Sequence, residues 1–348
     1  MKQRKRWILA SLVTVLLVGI PCTAAIGPVF IPVTETAKIL LNHIPLASFA
    51  ISDLTNVLIV DQVRLPRVLL AVLVGFALAA CGTVMQGLFR NPLADPYLLG
   101  IASGATAGAA IVIASRLDSL PFMLPMGAFL GGLLVIFIVY QLSRTALGRS
   151  DNLILILAGV ALAALFSAIS SFLLFVANNE ETRRIVFWVL GGLGGAQWSQ
   201  VQPLFWIIVL GMSLLMLFAR DLNALVLGEE MATHLGIDSR HLKKILLGVA
   251  TLMTAAAVAV AGTIGFVGLV VPHALRWLVG PDHRVLLPAA GLSGAILLLA
   301  CDTAARTVLQ PAELPVGIIT ALLGAPFFLF LLRKQKQVLG RSISRETL

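Results

Sequence analysis

Ten apolar runs, each close to the roughly 20 residues a helix needs to cross a bilayer, divide this chain of 348 residues. They begin at Trp7, Val68, Tyr97, Pro121, Leu153, Pro203, Ile245, Gly265, Val285 and Leu314. In hydrocarbon the backbone must satisfy its own hydrogen bonds, and runs of this length do so as helices. The chain is 59% hydrophobic and only 12% charged, which is too little charge to build a water-facing surface. The sequence therefore predicts an all-α integral membrane protein with ten transmembrane helices, a single transmembrane domain over residues 1–348 and no soluble domain. The run at Gly265 is the least regular, because Pro272, His273 and Arg276 interrupt it.

Charge supports the count of ten. With the N-terminus inside, eighteen of the 25 Lys and Arg lie on the inner side, leaving Lys38, Arg64, Arg67, Arg116, Arg183, Arg184 and Arg306 outside, as the positive-inside bias prefers. Both termini are then cytoplasmic. The net charge of +9 is a topology signal, and no nucleic-acid partner is expected. Met1 to Ala25 also reads as a signal peptide with Ala24-Ala25 near a cleavage site. Its apolar run is long for that, and its removal would put the basic tail outside, so an uncleaved first helix is preferred. Cys22, Cys81 and Cys301 lack metal-ligand spacing and read as small buried hydrophobes.

Two stretches echo each other at an offset of 180 residues: Ala77/Ala257, Gly82/Gly262, Thr83/Thr263, Pro92/Pro272 and Gly100/Gly280 are among the identities. Such matches arise by coincidence in a chain rich in small residues, or from a transporter's internal repeat whose helices break at the same depth. Being five spans apart, the two copies cross in opposite senses, so the repeat is an inverted one.

Between spans, residues 28–63 and 178–200 read as external loops, the first holding short helices, the second a short helix before the GGLGG break. Residues 221–241 form the longest cytoplasmic connection. There Asn223 to Leu235 suits one or two amphipathic helices stopped by Gly236, with Glu229, Glu230 and His234 exposed and Leu227, Met231 and Leu235 turned toward the membrane domain. Such a loop is a docking surface or a plain connector.

No GxxxxGK[ST] phosphate loop, HExxH or paired Cys motif occurs, so the chain has no ATP cradle of its own and enzyme readings are weak. Asp61, Asp95, Asp151, Asp221, Asp302 and Glu313 fall at expected span ends rather than mid-membrane, which argues against an ion-coupled carrier.

Several motifs together resemble one family. RLPRVLLAVLVG (Arg64 to Gly75), MQGLFRNPLADPYLLGIASGA (Met85 to Ala105), LGEEMATHLGI (Leu227 to Ile237), GTIGFVGLVVPHALRWLVGPDHR (Gly262 to Arg284) and ELPVGIITALLGAPFFLFLL (Glu313 to Leu332) are similar to the permeases of type II ABC importers for iron-siderophores, haem and vitamin B12. The match covers nearly the whole chain in the family's order. It implies a homodimer in the bacterial inner membrane, two cytoplasmic ABC ATPase subunits that use ATP and Mg, an external substrate-binding protein, and no cofactor bound by this chain. A ferric siderophore is the foremost expected cargo, with haem and then cobalamin behind it. By the same resemblance, Arg64, Arg67 and Arg306 receive acidic residues of the binding protein. Asn91 and Leu93 narrow the cytoplasmic gate, with Asp151 and Asn152 at a second, more loosely matched constriction. Glu229, Glu230, Leu235 and Gly236 contact the ATPase. Simpler readings stand beside these: interfacial snorkelling for Arg64, an i,i+4 pair with Asp302 for Arg306, and a cap for Asn91.

Overall fold

Each of the ten apolar runs coincides with a helix in the computed structural model, which describes residues 2–27, 29–43, 49, 51, 53–143 and 152–346. In chain order the helices are α1 (Lys2–Ala25), α2 (Val33–Leu41), α3 (Leu54–Leu58), α4 (Leu65–Leu88), α5 (Ile101–Ala114), α6 (Met123–Leu142), α7 (Asn152–Val176) and α8 (Asn179–Val189). They continue as α9 (Trp198–Leu217), α10 (Ala219–Leu227), α11 (Glu229–His234), α12 (Ser239–Ala261), α13 (Val267–Val279), α14 (His283–Thr307) and α15 (Val316–Glu346). No strand occurs among the described residues.

Seven helices are long and apolar enough to cross a membrane: α1, α4 with the turns leading into it from Leu54, α6, α7, α9, α12 and α14. The apolar parts of α5, α13 and α15 are shorter. The 13 residues of α13 rise roughly 20 Å, less than the roughly 30 Å hydrocarbon core.

Small residues decide which helices sit at the centre. The most apolar windows of α4, α12 and α14 are 78%, 67% and 61% buried, against 11–28% for α1, α6, α7 and α9. α4 lies on α14 along a seam where an added Cβ at Gly75 would stand 2.3 Å from the Gly294 carbonyl oxygen. A Cβ at Gly82 would come within 1.8 Å of the Gly268 oxygen on α13. Glycine is required there because the backbones touch, as at small-residue contacts between membrane helices.

That contact corrects one sequence expectation. The matched glycines mark matched breaks at only one of two places: Gly100 and Gly280 both end a helical turn at positive φ, 82° and 84°, but Gly82 and Thr83 lie inside the continuous α4, whereas Gly262 ends α12 with φ 67°. Pro92 lies in the turn after α4, but Pro272 lies inside α13. Gly82 serves close packing and Gly262 serves a break. What recurs is the pairing. α4 packs on α14 and α13, and α12, five spans later, packs on α6 and α5, which stand five spans before α14 and α13.

The two connections expected to hold short helices do so. Asn178 opens α8 with a capping box shared with Glu181, and α2 and α3 occupy the first loop.

Candidate functional site

The residues singled out in the sequence fall into three groups, and the first sits at the C-terminal end of α1. A helix leaves its last four carbonyls without partners, and α1 has no basic residue in its last turn. Two distant arginines fill that need. Arg64 Nη1 donates to the carbonyls of Ala24 and Ala25 at 2.8 Å each, and its Nη2 donates to Val29 O. Arg306 Nη1 donates to Ile26 O at 2.8 Å and Nη2 to Thr23 O at 3.3 Å. The positive ends are placed where the helix dipole is negative.

Between them lies Asp302, fully buried on α14. Arg67 Nε donates to both of its carboxylate oxygens, at 3.0 and 3.2 Å, and Arg67 Nη1 donates to Glu313 Oε2 at 2.8 Å. Arg306 Nε stands 3.1 Å from Asp302 Oδ2 as an ion pair but off the hydrogen-bond axis. Arg64, Arg67 and Arg306 are thus brought together, yet they are 5%, 8% and 4% exposed and engaged by the chain itself. The i,i+4 pairing of Arg306 with Asp302 is present, and Arg64 caps carbonyls instead of reaching for the interface. Asp302 and Glu313 are the members of this cluster that span-by-span reading treats as mere span-end carboxylates.

The second group is the turn after α4 and the break it faces. Arg90 takes φ 48°, and Asn91 Oδ1 accepts from Leu93 N at 2.9 Å, so Asn91 caps its own turn while exposed; Leu93 is half-buried. Asp95 then caps a single tight helical turn, Pro96–Leu99, by accepting from Tyr97 N at 2.8 Å. The Tyr97 hydroxyl donates to Ile264 O at 3.0 Å and accepts from Ile264 N at 3.2 Å. Ile264 lies in the non-helical stretch between α12 and α13. Gly192 N donates to Ala261 O at 2.8 Å, and Thr263 Oγ1 donates to Val189 O. Irregular backbone between membrane helices is thereby satisfied by protein groups, as lipid contact would forbid otherwise. Asp151 lies outside the described residues; Asn152 opens α7, and its side chain is not described.

The third group is α10 and α11, the two short helices expected from residues 223–235. Gly228, at φ 133° and ψ 152°, makes the corner between them, and Gly236 at φ 79° follows α11. Glu229 pairs with Lys243 on α12, and Glu230 is exposed. The apolar face is corrected: Leu227, Met231 and Leu235 point away from the membrane domain, at 73%, 50% and 61% exposed. Leu222, Ala224, Leu225 and Ala232 are the buried side, because α10 rolls so that its 222/225 edge meets α4 and α14. Beyond Gly236, Asp238 caps α12, and the hydrogen bond from His241 holds its carboxyl below the usual range.

This is a helical scaffold with polar ties at both ends and no metal-binding cluster of His, Cys, Asp or Glu among the described residues. Residues 14–334 match the model of the FecCD transport family. The chain belongs to the FecCD transport family. It is a multi-pass membrane permease, a transport subunit and not an enzyme. Among its relatives, the "Hemin transport system permease protein HmuU" of Yersinia pestis is 48% identical over 285 residues, 79% of this chain and 83% of that protein. The "Cobalamin import system permease protein BtuC" of Halobacterium salinarum is 47% identical over 286 residues, 81% of this chain and 75% of that one. A solved metal-chelate type ABC transporter in an inward-facing conformation superposes with a TM-score of 0.82 at 34% identity, covering 94% of this chain and 99% of the other. The type II ABC permease fold expected from the motifs is the fold observed.

Proposed function

We infer that this permease works as a homodimer, forming the path by which a bulky metal chelate enters a bacterial cell across the inner membrane. All ten apolar helices cross, and both termini are cytoplasmic. Two ABC ATPase subunits, using ATP and Mg, dock on the inner face, and an external binding protein delivers the cargo. The observation that carries this reading is the exposed edge of α10 and α11, where Leu227, Met231 and Leu235 stand in solvent beside Glu229 and Glu230. An apolar stripe rimmed by charge at the end of a membrane domain fits a protein cleft. Glu229, Glu230, Leu235 and Gly236 are its named contacts. Haem and cobalamin are supported as cargo by the names of the relatives, and a ferric siderophore belongs to the same chemical class; the Gly- and Ala-rich start of α5 gives space without fixed charge.

Arg64, Arg67 and Arg306 keep a part in docking of the binding protein, as the braces of the outer rim it meets; Asn91 and Leu93, with Asp151 and Asn152, narrow the inner mouth. The test is uptake into proteoliposomes of hemin, cobalamin and a ferric hydroxamate, each with and without the ATPase and binding protein. Uptake that requires both proteins and ATP is expected. Concentrative uptake by this chain alone on a proton or sodium gradient overturns the reading. Replacing Glu229 and Glu230 with Lys puts new cations beside Lys243 and is expected to leave hydrolysis running while uptake falls; coupled uptake in that variant removes the docking assignment.

A further inference from the structure

Asn223, half-buried on α10, makes a joint that no docking role requires. Its side-chain Nδ2 donates to Asp282 Oδ1 at 2.8 Å, and its Oδ1 accepts from His283 N at 2.9 Å. That backbone donor fixes the amide orientation, so the oxygen also faces His283 Nδ1 at 2.7 Å. An oxygen only accepts, so the proton of this ring is on Nδ1. His283 is 3% exposed, and its Nε2 has no partner. Asp282 is also the cap of α14, accepting from Arg284 N. One carboxamide therefore holds both the cap and the first residue of α14.

The other end of α14 is held as firmly. Asp302 and Arg306 join it to Arg67 and to the end of α1, and Leu314 N donates to Ala305 O at 3.0 Å. Between the two ends, α14 meets α4 through small residues at Gly75 and Gly294, and Ser293 Oγ is buried without a partner. Among the described residues its middle is thus held to α4 by packing alone, Gly75 against Gly294 and the Phe76 ring against Gly291, so the polar ties of α14 lie at its two ends. Its 25 residues extend roughly 37 Å, and the ladder loses a donor only at Pro288, near the clasped first turn.

We propose that α14 is the element that carries displacement of α10 to the outer arginine cluster, and that Asn223 is the positioning residue that engages it. The proposal rests on the importer reading, in which the ATPase moves α10 and α11. Motion of α10 reaches α14 through three hydrogen bonds from one side chain, and α14 delivers it to Asp302, where Arg67 and Arg306 meet.

The test uses the full chain, with Cys22→Ser, assembled with its ATPase in nanodiscs and spin-labelled at the exposed Leu54 and Val308 on the outer side. In the parent, trapping with ATP and vanadate is expected to shift the Leu54 to Val308 distance. Asn223→Ala is expected to lose that shift while ATPase binding and basal hydrolysis are kept, and stimulation of hydrolysis by the binding protein is expected to fall about tenfold, the scale of losing hydrogen bonds to a charged partner. Arg220→Ala, next door and exposed, is expected to behave as the parent. Asn223→Asp sets two carboxylates together, and adding Asp282→Asn restores one donor to one acceptor, so the double variant is expected to regain the shift that the single one loses. An unchanged shift in Asn223→Ala, or a double variant no better than Asn223→Asp, overturns the proposal; where Asn223→Ala fails to fold, that second comparison decides. A parent that binds no ATPase removes the importer reading, and the proposal with it.

Discussion

Replacing Asp302 with Asn tests whether the arginine cluster at the end of α1 is held by charge. Asp302 has no exposed side-chain surface, and the side chains of Arg67 and Arg306 are 10% and 4% exposed. The substitution keeps the shape but removes the one buried anion between two buried cations, and it turns an NH2 group toward guanidinium donors. Arg67 retains Glu313, whose side chain is 42% exposed, so its remaining partner is well screened. Arg306 retains the carbonyls of Ile26 and Thr23 and the Thr303 hydroxyl, all of them uncharged. Removing one partner of a buried pair costs about 3–5 kcal/mol. At about 2 °C per kcal/mol, suited to a large domain, the midpoint should fall by roughly 6–10 °C. Thermal unfolding of detergent-purified protein, followed by fluorescence, reads the change. Replacing Asp302 with Leu and Arg306 with Met together should cost less than Asp302→Asn alone, since the cation left with no carboxylate is then gone and Arg67 keeps Glu313. A fall of under about 2 °C for Asp302→Asn, on the same scale, or a double variant less stable than the single, would show that the charges do not hold this end of the molecule.

Three further outcomes follow from the geometry. Tyr97→Phe strips Ile264 of the partner for both its N–H and its C=O, a loss of about 1–3 kcal/mol that should appear as a lower unfolding midpoint; an unchanged midpoint counts against the tie. Gly228→Ala meets no atom within 4 Å, so its cost is purely that of a backbone conformation open almost only to glycine, about 1–3 kcal/mol; ATPase copurification should weaken while the unfolding midpoint of the membrane domain stays. The Asp282 carboxyl is held well below its usual value, chiefly by the hydrogen bond from Arg284. A lowered folded value means its contribution is complete above the unfolded value and is lost only as pH falls through the folded one. Amide protection at Arg284, corrected for intrinsic exchange, should therefore persist at about pH 4, near the ordinary Asp value, and vanish on stronger acidification; loss at pH 5 would contradict the clasp.

Much of the scaffold was legible because membrane helices are written as composition. All ten apolar runs became helices, and Gly236 and the acidic start of α11 marked that short helix correctly. Contacts between distant residues were less visible. The pairing of Arg306 with Asp302 follows from a spacing of four, but that of Arg67 with Asp302 joins positions 235 residues apart, and no local pattern announces it. The echo of Gly82 and Gly262 misled because glycine answers two needs alike in sequence: a backbone approached by another backbone, and a backbone turned to positive φ. The apolar stripe at Leu227, Met231 and Leu235 misled for a related reason. Periodicity shows that a helix has an oily side, and only the assembled neighbours show which way that side faces.

The clasp on the end of α1 has a bearing on how the chain matures. Its last carbonyls are held by Arg64, made soon afterwards, and by Arg306, made far later. With so little of its flank covered by neighbours, α1 has Arg64 alone on its end until α14 is made, and the second clamp, on Thr23 and Ile26, comes only with Arg306. A chain that stops short of residue 306 therefore holds the end of α1 by one arginine where the full sequence uses two.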